Sequence, residues 1–289
     1  MPVTTESTLD RPGPGAWAPR PGLPKLIATD LDGTIVRSDE SVSPRTRAAF
    51  DLVVSAGIPI VGVTGRGPRL LPLSRVDLPE ASYFVLGQGG RVVDLTPPGE
   101  PRVLADEVME GALVAEVLEQ LEAAVGRLSV MVEPSCALDD FLLGETHPAW
   151  RFSTKVRPCS RDVAFAGTIF KAFAHSDAHD ADELLRIARE LVGPEIVEMT
   201  QAGLGYVEIC PRGVTKARGL AVVAQHLGVD PADILVFGDM PNDLPMFGYA
   251  GWSRVAVATA HRELLAVADE VTAACDDDGV AIYLEGLFG

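Results

Sequence analysis

Cysteine is scarce in this sequence: Cys136, Cys159, Cys210 and Cys275 stand far apart, and no C-x-x-C pair occurs. That spacing excludes a disulfide scaffold and a zinc-ribbon type of fold, and leaves reduced thiols packed as small hydrophobes. Basic residues are also few, 24 Lys plus Arg against 41 Asp plus Glu, a formal net charge of −17. Repulsion at long range argues against nucleic acid or an anionic membrane as partner. A small anionic substrate stays open, because a bound metal ion reverses the local field. There is no apolar run of membrane-spanning length and no signal peptide, so the cytoplasm is the expected location.

What is present is enough for a large folded body. Hydrophobic residues make up 47% and charged residues 22% of the 289 positions, an ordinary globular composition in a chain long enough for two units. Residues 1–24 are rich in Pro and Gly without periodicity and read as a disordered leader, in which Trp17 alone could dock on the body. After it, short apolar runs (KLIAT, IPIVGVT, YFVLG, ILVFG, RVAVA) alternate with helical patterns. Runs apolar throughout suit strands buried on both faces of a parallel sheet. Ser43, Pro44 and Gly57 punctuate one helix, and TKARGLAVVAQHLG, ending at Gly228, forms another before a strand. The expected class is α/β, doubly wound and parallel.

Residues 92–208 have a different order: strand, long helix, strands, helix, strands. They read as a separate α+β layer inserted into a unit formed by 25–91 and 209–289. In its long helix Val114, Val117, Leu118 and Leu121 make an apolar stripe that belongs to the core.

The run KLIATDLDGT, residues 25–34, ends in two aspartates around a leucine. A buried carboxylate is costly unless it is paired or binds a metal. Residues i and i+2 of a strand share a face, so Asp30 and Asp32 address one site while Leu31 turns inward. VTGR (63–66) and FGDMPND (237–243) close other strands. Open α/β sheets bind ligands beyond the carboxyl ends of their strands. One rim therefore collects Asp30, Asp32, Asp239 and Asp243, the Thr64 hydroxyl, the Gly65 amide and Lys216 at a helix start. Clustered carboxylates with no His or Cys among them suit Mg²⁺. The lysine, hydroxyl and amides suit phosphate oxygens, so the rim reads as a phosphoryl-transfer site.

These motifs, DLDGT at 30–34, TGR at 64–66, GVTK at 213–216 and GDMPND at 238–243, resemble the haloacid dehalogenase (HAD) superfamily phosphatases of the Cof type. The resemblance covers about residues 25–289. It implies a Rossmann-like core with an inserted C2B-type cap over residues 92–208. It further implies that Asp30 is the nucleophile, forming an aspartyl-phosphate, and that Asp32 is the acid and base. Mg²⁺ would be held by Asp30, the Asp32 carbonyl and Asp239, with Asp243 in support. Thr64, Gly65, Lys216 and Asn242 would hold the phosphoryl group. The substrate implied is a small phosphorylated metabolite, a sugar phosphate first and a cofactor such as FMN next, acted on by a monomer or homodimer. Gln88 and Thr259 stand where such proteins usually have Asn, which bears on substrate contacts only. Arg66 and Gln88 are candidate substrate residues. Trp150, Arg151, Lys155, Arg157 and Lys171 are candidates too, with exposure to solvent an equal expectation.

A phosphomutase would use the same aspartyl-phosphate, and a metabolite-binding protein could retain the scaffold without turnover. Other charged groups have plainer readings. His175 and His179, beside Asp177 and Asp180, flank a helix start where Ser and Asp are the expected caps, so a metal site there is the lesser reading. Asp276, Asp277 and Asp278 read as a solvated loop.

Overall fold

The computed structural model describes residues 22–135, 141–148, 155–201 and 204–289; Trp17, Cys136, Trp150 and Arg151 lie outside them. The expected apolar runs form the centre of an eight-stranded sheet. Its order is Glu270–Thr272, Ser253–Val257, Ile234–Gly238, Leu26–Thr29, Ile60–Val63, Tyr83–Leu86, Arg91–Asp94 and Arg102–Asp106. The first six pair in parallel. Leu26–Thr29, Ile60–Val63 and Ile234–Gly238 are buried at every position, as strands covered by helices on both faces must be. From Leu26–Thr29 the chain builds one half of the sheet to one side and later the other half to the opposite side. The order reverses at this strand, so a crevice opens beyond its carboxyl end.

The flanking helices start and stop where their caps dictate. The Ser43 side chain accepts from the Thr46 amide ahead of Pro44–Ser55, and Thr215 accepts from the Arg218 amide ahead of Lys216–Leu227. Gly228 ends the latter at φ +67°, a left-handed turn that glycine adopts without steric cost.

A second sheet runs in the order Val197–Gln201, Val207–Pro211, Thr168–His175, Ser129–Pro134, Leu142–Gly144, Val156–Pro158, with Met109–Glu110 pairing the start of Thr168–His175. Helices Gly111–Val125 and Ala181–Leu191 pack on one face of it. Val114, Val117, Leu118 and Leu121 join a core that also includes Ile169, Leu184 and Ile209. The other face carries a small cluster of Met131, Leu142, Val156, Phe173 and Tyr206.

The sequence boundaries at 92 and 208 differ from the pairing. Arg91–Asp94 and Arg102–Asp106 extend the first sheet antiparallel, because the chain reverses at Gly87, Gln88 and Gly89, all at positive φ. Val207–Pro211 belongs wholly to the second sheet. Among the described residues no helix is long and apolar enough to cross a membrane.

Candidate active site

Asp30 follows a fully buried strand and is itself only 5% exposed. The chain then turns tightly, with the Leu31 carbonyl accepting from the amides of Thr34, Ile35 and Val36. Gly33 sits at φ +85°, and a Cβ there would lie 2.3 Å from Asp239 Oδ2. Glycine is therefore required twice, for its backbone and for the room it leaves beside Asp239. The turn brings the Thr34 hydroxyl within 3.3 Å of both Asp30 Oδ2 and Asp239 Oδ1.

Lys216, the first residue of its helix, is fully buried. Its Nζ donates to Asp30 Oδ1 at 2.5 Å and to Asp243 Oδ1 at 2.7 Å. The second oxygen of Asp243 accepts from the amides of Asp239 and Met240 at 2.9 and 3.1 Å. Asp30, Asp239 and Asp243 bring ligand atoms within 4.8 Å of one another.

Three carboxylates share this buried space with one ammonium. Burial pushes Asp30 up to about 7, with Lys216 pulling the other way and Asp243 adding to the rise. Burial also raises Asp239 well above the usual carboxylate range, and Asp30 and Asp243 add to it. Burial opposes the charge on Lys216, but Asp243 and Asp30 outweigh it and hold the lysine above its ordinary value. The cluster is thus short of positive charge, and its all-oxygen donors match a hard divalent cation.

Beside it, Thr64 is fully buried and its hydroxyl accepts from the Arg66 amide at 3.0 Å. Gln88 is 1% exposed; its amide nitrogen donates to Glu208, and its carbonyl oxygen accepts from Asn242 Nδ2 at 3.3 Å. Asn242 Oδ1 is buried without a hydrogen-bond partner among the described residues. It is therefore an acceptor held ready beside the carboxylates.

Two expectations change here. The Asp32 carboxylate is not in the cluster; it forms a bidentate pair with Arg66 at 2.7 and 2.8 Å. Its side chain is 52% exposed. Arg66, expected to face substrate, is held between Asp32 and Asp77, the latter at 2.5 Å. Gln88, a candidate substrate residue, is a buried strut between Glu208 and Asn242. Elsewhere, Asp278 is no solvated loop residue, since it accepts from Arg37, Ser43 and Thr46.

Lys171 and two residues not singled out from the sequence, Glu133 and Glu208, also converge on this site. Lys171, for which solvent was as much expected as substrate, is 2% exposed; its Nζ donates to the Gly65 carbonyl at 2.5 Å and to Glu208 at 2.9 Å. Glu133 is equally buried and abuts Gly67, where a Cβ would meet its Oε2 at 1.9 Å. Burial raises its carboxyl, while Lys171 and Arg69 oppose the rise. These residues sit inside apolar strands (LSVMVEP, TIFKAFAH, YVEIC), and that was a legible signal. A charge in such a run must have a buried partner. Lys155 and Arg157 are exposed.

The chain is 29% identical over 286 residues to a 5-amino-6-(5-phospho-D-ribitylamino)uracil phosphatase of Bacillus subtilis, covering 91% of this chain and 98% of that protein. It is 28% identical over 266 residues to a phosphoglycolate phosphatase of Archaeoglobus fulgidus, covering 91% and 97%. A solved HAD subclass IIB sugar phosphatase shares the fold with a TM-score of 0.76 at 18% identity, covering 91% and 98%. The profile of one family matches residues 27–284, nearly the whole described body, and the chain belongs to that family, the haloacid dehalogenase-like hydrolases.

Proposed function

We propose that this chain is a cytoplasmic, Mg²⁺-dependent phosphoric monoester hydrolase for a small phosphorylated metabolite. A sugar phosphate fits first and a phosphorylated cofactor such as FMN next. The observation that carries the reading is Asp30, buried at the switch point of the sheet and bonded to Lys216 within a cluster of three carboxylates. Phosphatases among its relatives support it.

Asp30 and Asp239 would hold the cation, and Asp243 would support them through Lys216 and two backbone amides. When bound, Mg²⁺ supplies positive charge that lets a carboxylate approach a phosphate dianion and stabilises the charge on the transferring oxygens. An Asp30 oxygen attacks phosphorus as the bond to the leaving oxygen breaks. Asp32, as the acid, gives its proton to that oxygen. Asp32 then takes a proton from water, whose oxygen attacks phosphorus and breaks the bond to Asp30, restoring the carboxylate. For this, Asp32 must exchange Arg66 for the leaving group. Its exposure permits the rotation. Lys216, Thr64, the Gly65 amide and Asn242 orient the phosphoryl oxygens.

The second sheet acts as the cap. Its charged face, Lys171, Glu208 and Glu133, grips the Gly65–Gly67 loop and Gln88, so seating the cap completes the phosphate side and excludes water. The test is phosphate release from a panel of phosphorylated sugars, nucleotides and cofactors, with and without Mg²⁺. Turnover of at least one class with Mg²⁺ and none without is expected; silence across the panel would overturn the reading.

Two further outcomes follow from the cluster. Asp30 ionises only near pH 7 in the metal-free protein, and its carboxylate is the form that binds metal. Apparent Mg²⁺ affinity should therefore fall at least about tenfold per pH unit below about 7, because Asp239 is raised as well. Because the folded value is raised, metal-free stability should decline as pH rises from the ordinary carboxyl range through about 7, and Mg²⁺ should reverse the decline. Calorimetric titration and thermal melts across that range check both signs. Gly33→Ala should cost about 1–2 kcal/mol from its left-handed backbone. It should also weaken Mg²⁺ at least about tenfold by displacing Asp239; denaturant unfolding and Mg²⁺ titration separate the two effects.

A further inference from the structure

We propose a second metal site in this protein, formed by His147, His175 and Asp177 and suited to a transition cation of the zinc class. It lies apart from the acidic cluster and does not rest on the phosphatase reading. His175 ends the strand Thr168–His175, with Asp177 two residues on, and His147 follows the strand Leu142–Gly144. Ser129–Pro134 runs between those two strands, and His175 pairs with Ser129 at its start. Past that small residue the two imidazoles meet with ring centroids 4.7 Å apart.

Both Nε2 atoms address the same oxygen of Asp177, His147 at 3.2 Å and His175 at 3.7 Å. All three ligand atoms lie within 4.8 Å of one another. Donors around a tetrahedral zinc, bonded at about 2.0–2.1 Å, stand roughly 3.3 Å apart, so the spacing fits one ion between them. The second contact of His175 points the same way. Its Nδ1 lies 2.7 Å from the Gly205 carbonyl, which accepts from Nδ1–H and leaves the Nε2 lone pair facing Asp177. A lone pair and a carboxylate oxygen repel unless a proton or a metal ion stands between them. Protonating both rings would set two cations side by side. One metal ion would take both Nε2 lone pairs and the Asp177 oxygen at once.

Two imidazoles and one carboxylate select zinc, cobalt or nickel over Mg²⁺, which takes oxygen ligands. Asp177 is 83% exposed, so an ion held there is reached from solvent. His175 also shares a strand face with Lys171 and Phe173. The ion would tie the segment bearing His147 to the strand that grips the Gly65 loop.

Cobalt titration of metal-stripped protein, with Mg²⁺ in excess to fill the acidic cluster, tests this. One equivalent should bind with the visible absorption of a four-coordinate nitrogen–oxygen set, yield to Zn²⁺ and persist in Asp30→Asn. His147→Ala and His175→Ala should each weaken it at least about 100-fold without changing the melting temperature of the metal-free protein. Should the variants fail to fold, zinc-edge X-ray absorption of the wild type decides, with scattering from two imidazoles expected. Unchanged binding in the variants, or zinc without imidazole scattering, would overturn the site.

Discussion

Asp30→Asn is expected to lower phosphate release at least about 10⁴-fold while leaving the protein folded. The amide has the shape of the carboxylate but not its nucleophilicity, and a group that forms the covalent bond has no substitute within the cluster. Stability should not suffer, because burial already works against the Asp30 charge and pushes its titration up to about 7. A neutral amide removes that cost, so the metal-free variant should melt no lower than the wild type at pH 8. Turnover near the wild-type rate would assign the attack on phosphorus to another group.

Lys216→Met is expected to be damaging in both respects. The ammonium is fully buried and is the cation bonded to both Asp30 and Asp243. Removing one partner of a buried charge network leaves the others uncompensated, at a cost of about 3–5 kcal/mol. Mg²⁺ should recover part of this loss, because it restores positive charge among the same carboxylates, and urea unfolding with and without Mg²⁺ measures that recovery. Activity should fall about 10²–10³-fold even where the variant is folded, since one donor to the transferring oxygens is gone. Full stability without Mg²⁺ would mean that Lys216 does not neutralise the cluster.

Much of this was legible in the sequence because it is local. Apolar runs gave the central strands, Ser43, Pro44 and Gly228 set helix ends, and polar tips on successive strands placed Asp30, Thr64 and Asp239 at one rim. What was not legible depends on pairing between distant segments. Arg91–Asp94 has the same apolar look as a cap strand, and only the left-handed turn through Gly87–Gly89 folds it back onto the first sheet. The Asp32–Arg66 pair joins two motifs each read as facing the substrate, and no spacing rule tells a carboxylate which cation it will choose.

Among the charged residues inside the second sheet, Glu133 and Glu208 were the largest omission. Lys171, Glu133 and Glu208 interrupt apolar strands, and each interruption called for a buried partner. Which partner it would be, the Gly65 carbonyl for Lys171 and Gln88 for Glu208, follows only from seating one sheet on the other. His175 shows the same limit. Asp180 caps its helix by accepting from Glu183, as its position suggests, yet His175 turns instead to His147, 28 positions earlier in the chain.

The most direct measurement is chemical capture of the covalent state. Wild-type protein mixed with Mg²⁺ and a turned-over phosphoester, then quenched in acid within one turnover, should carry the phosphoryl group on the peptide containing Asp30. The label should vanish in Asp30→Asn and decay with water in the wild type. Steady phosphate release with no label on that peptide would contradict attack by Asp30 and, with it, the mechanism built on the cluster.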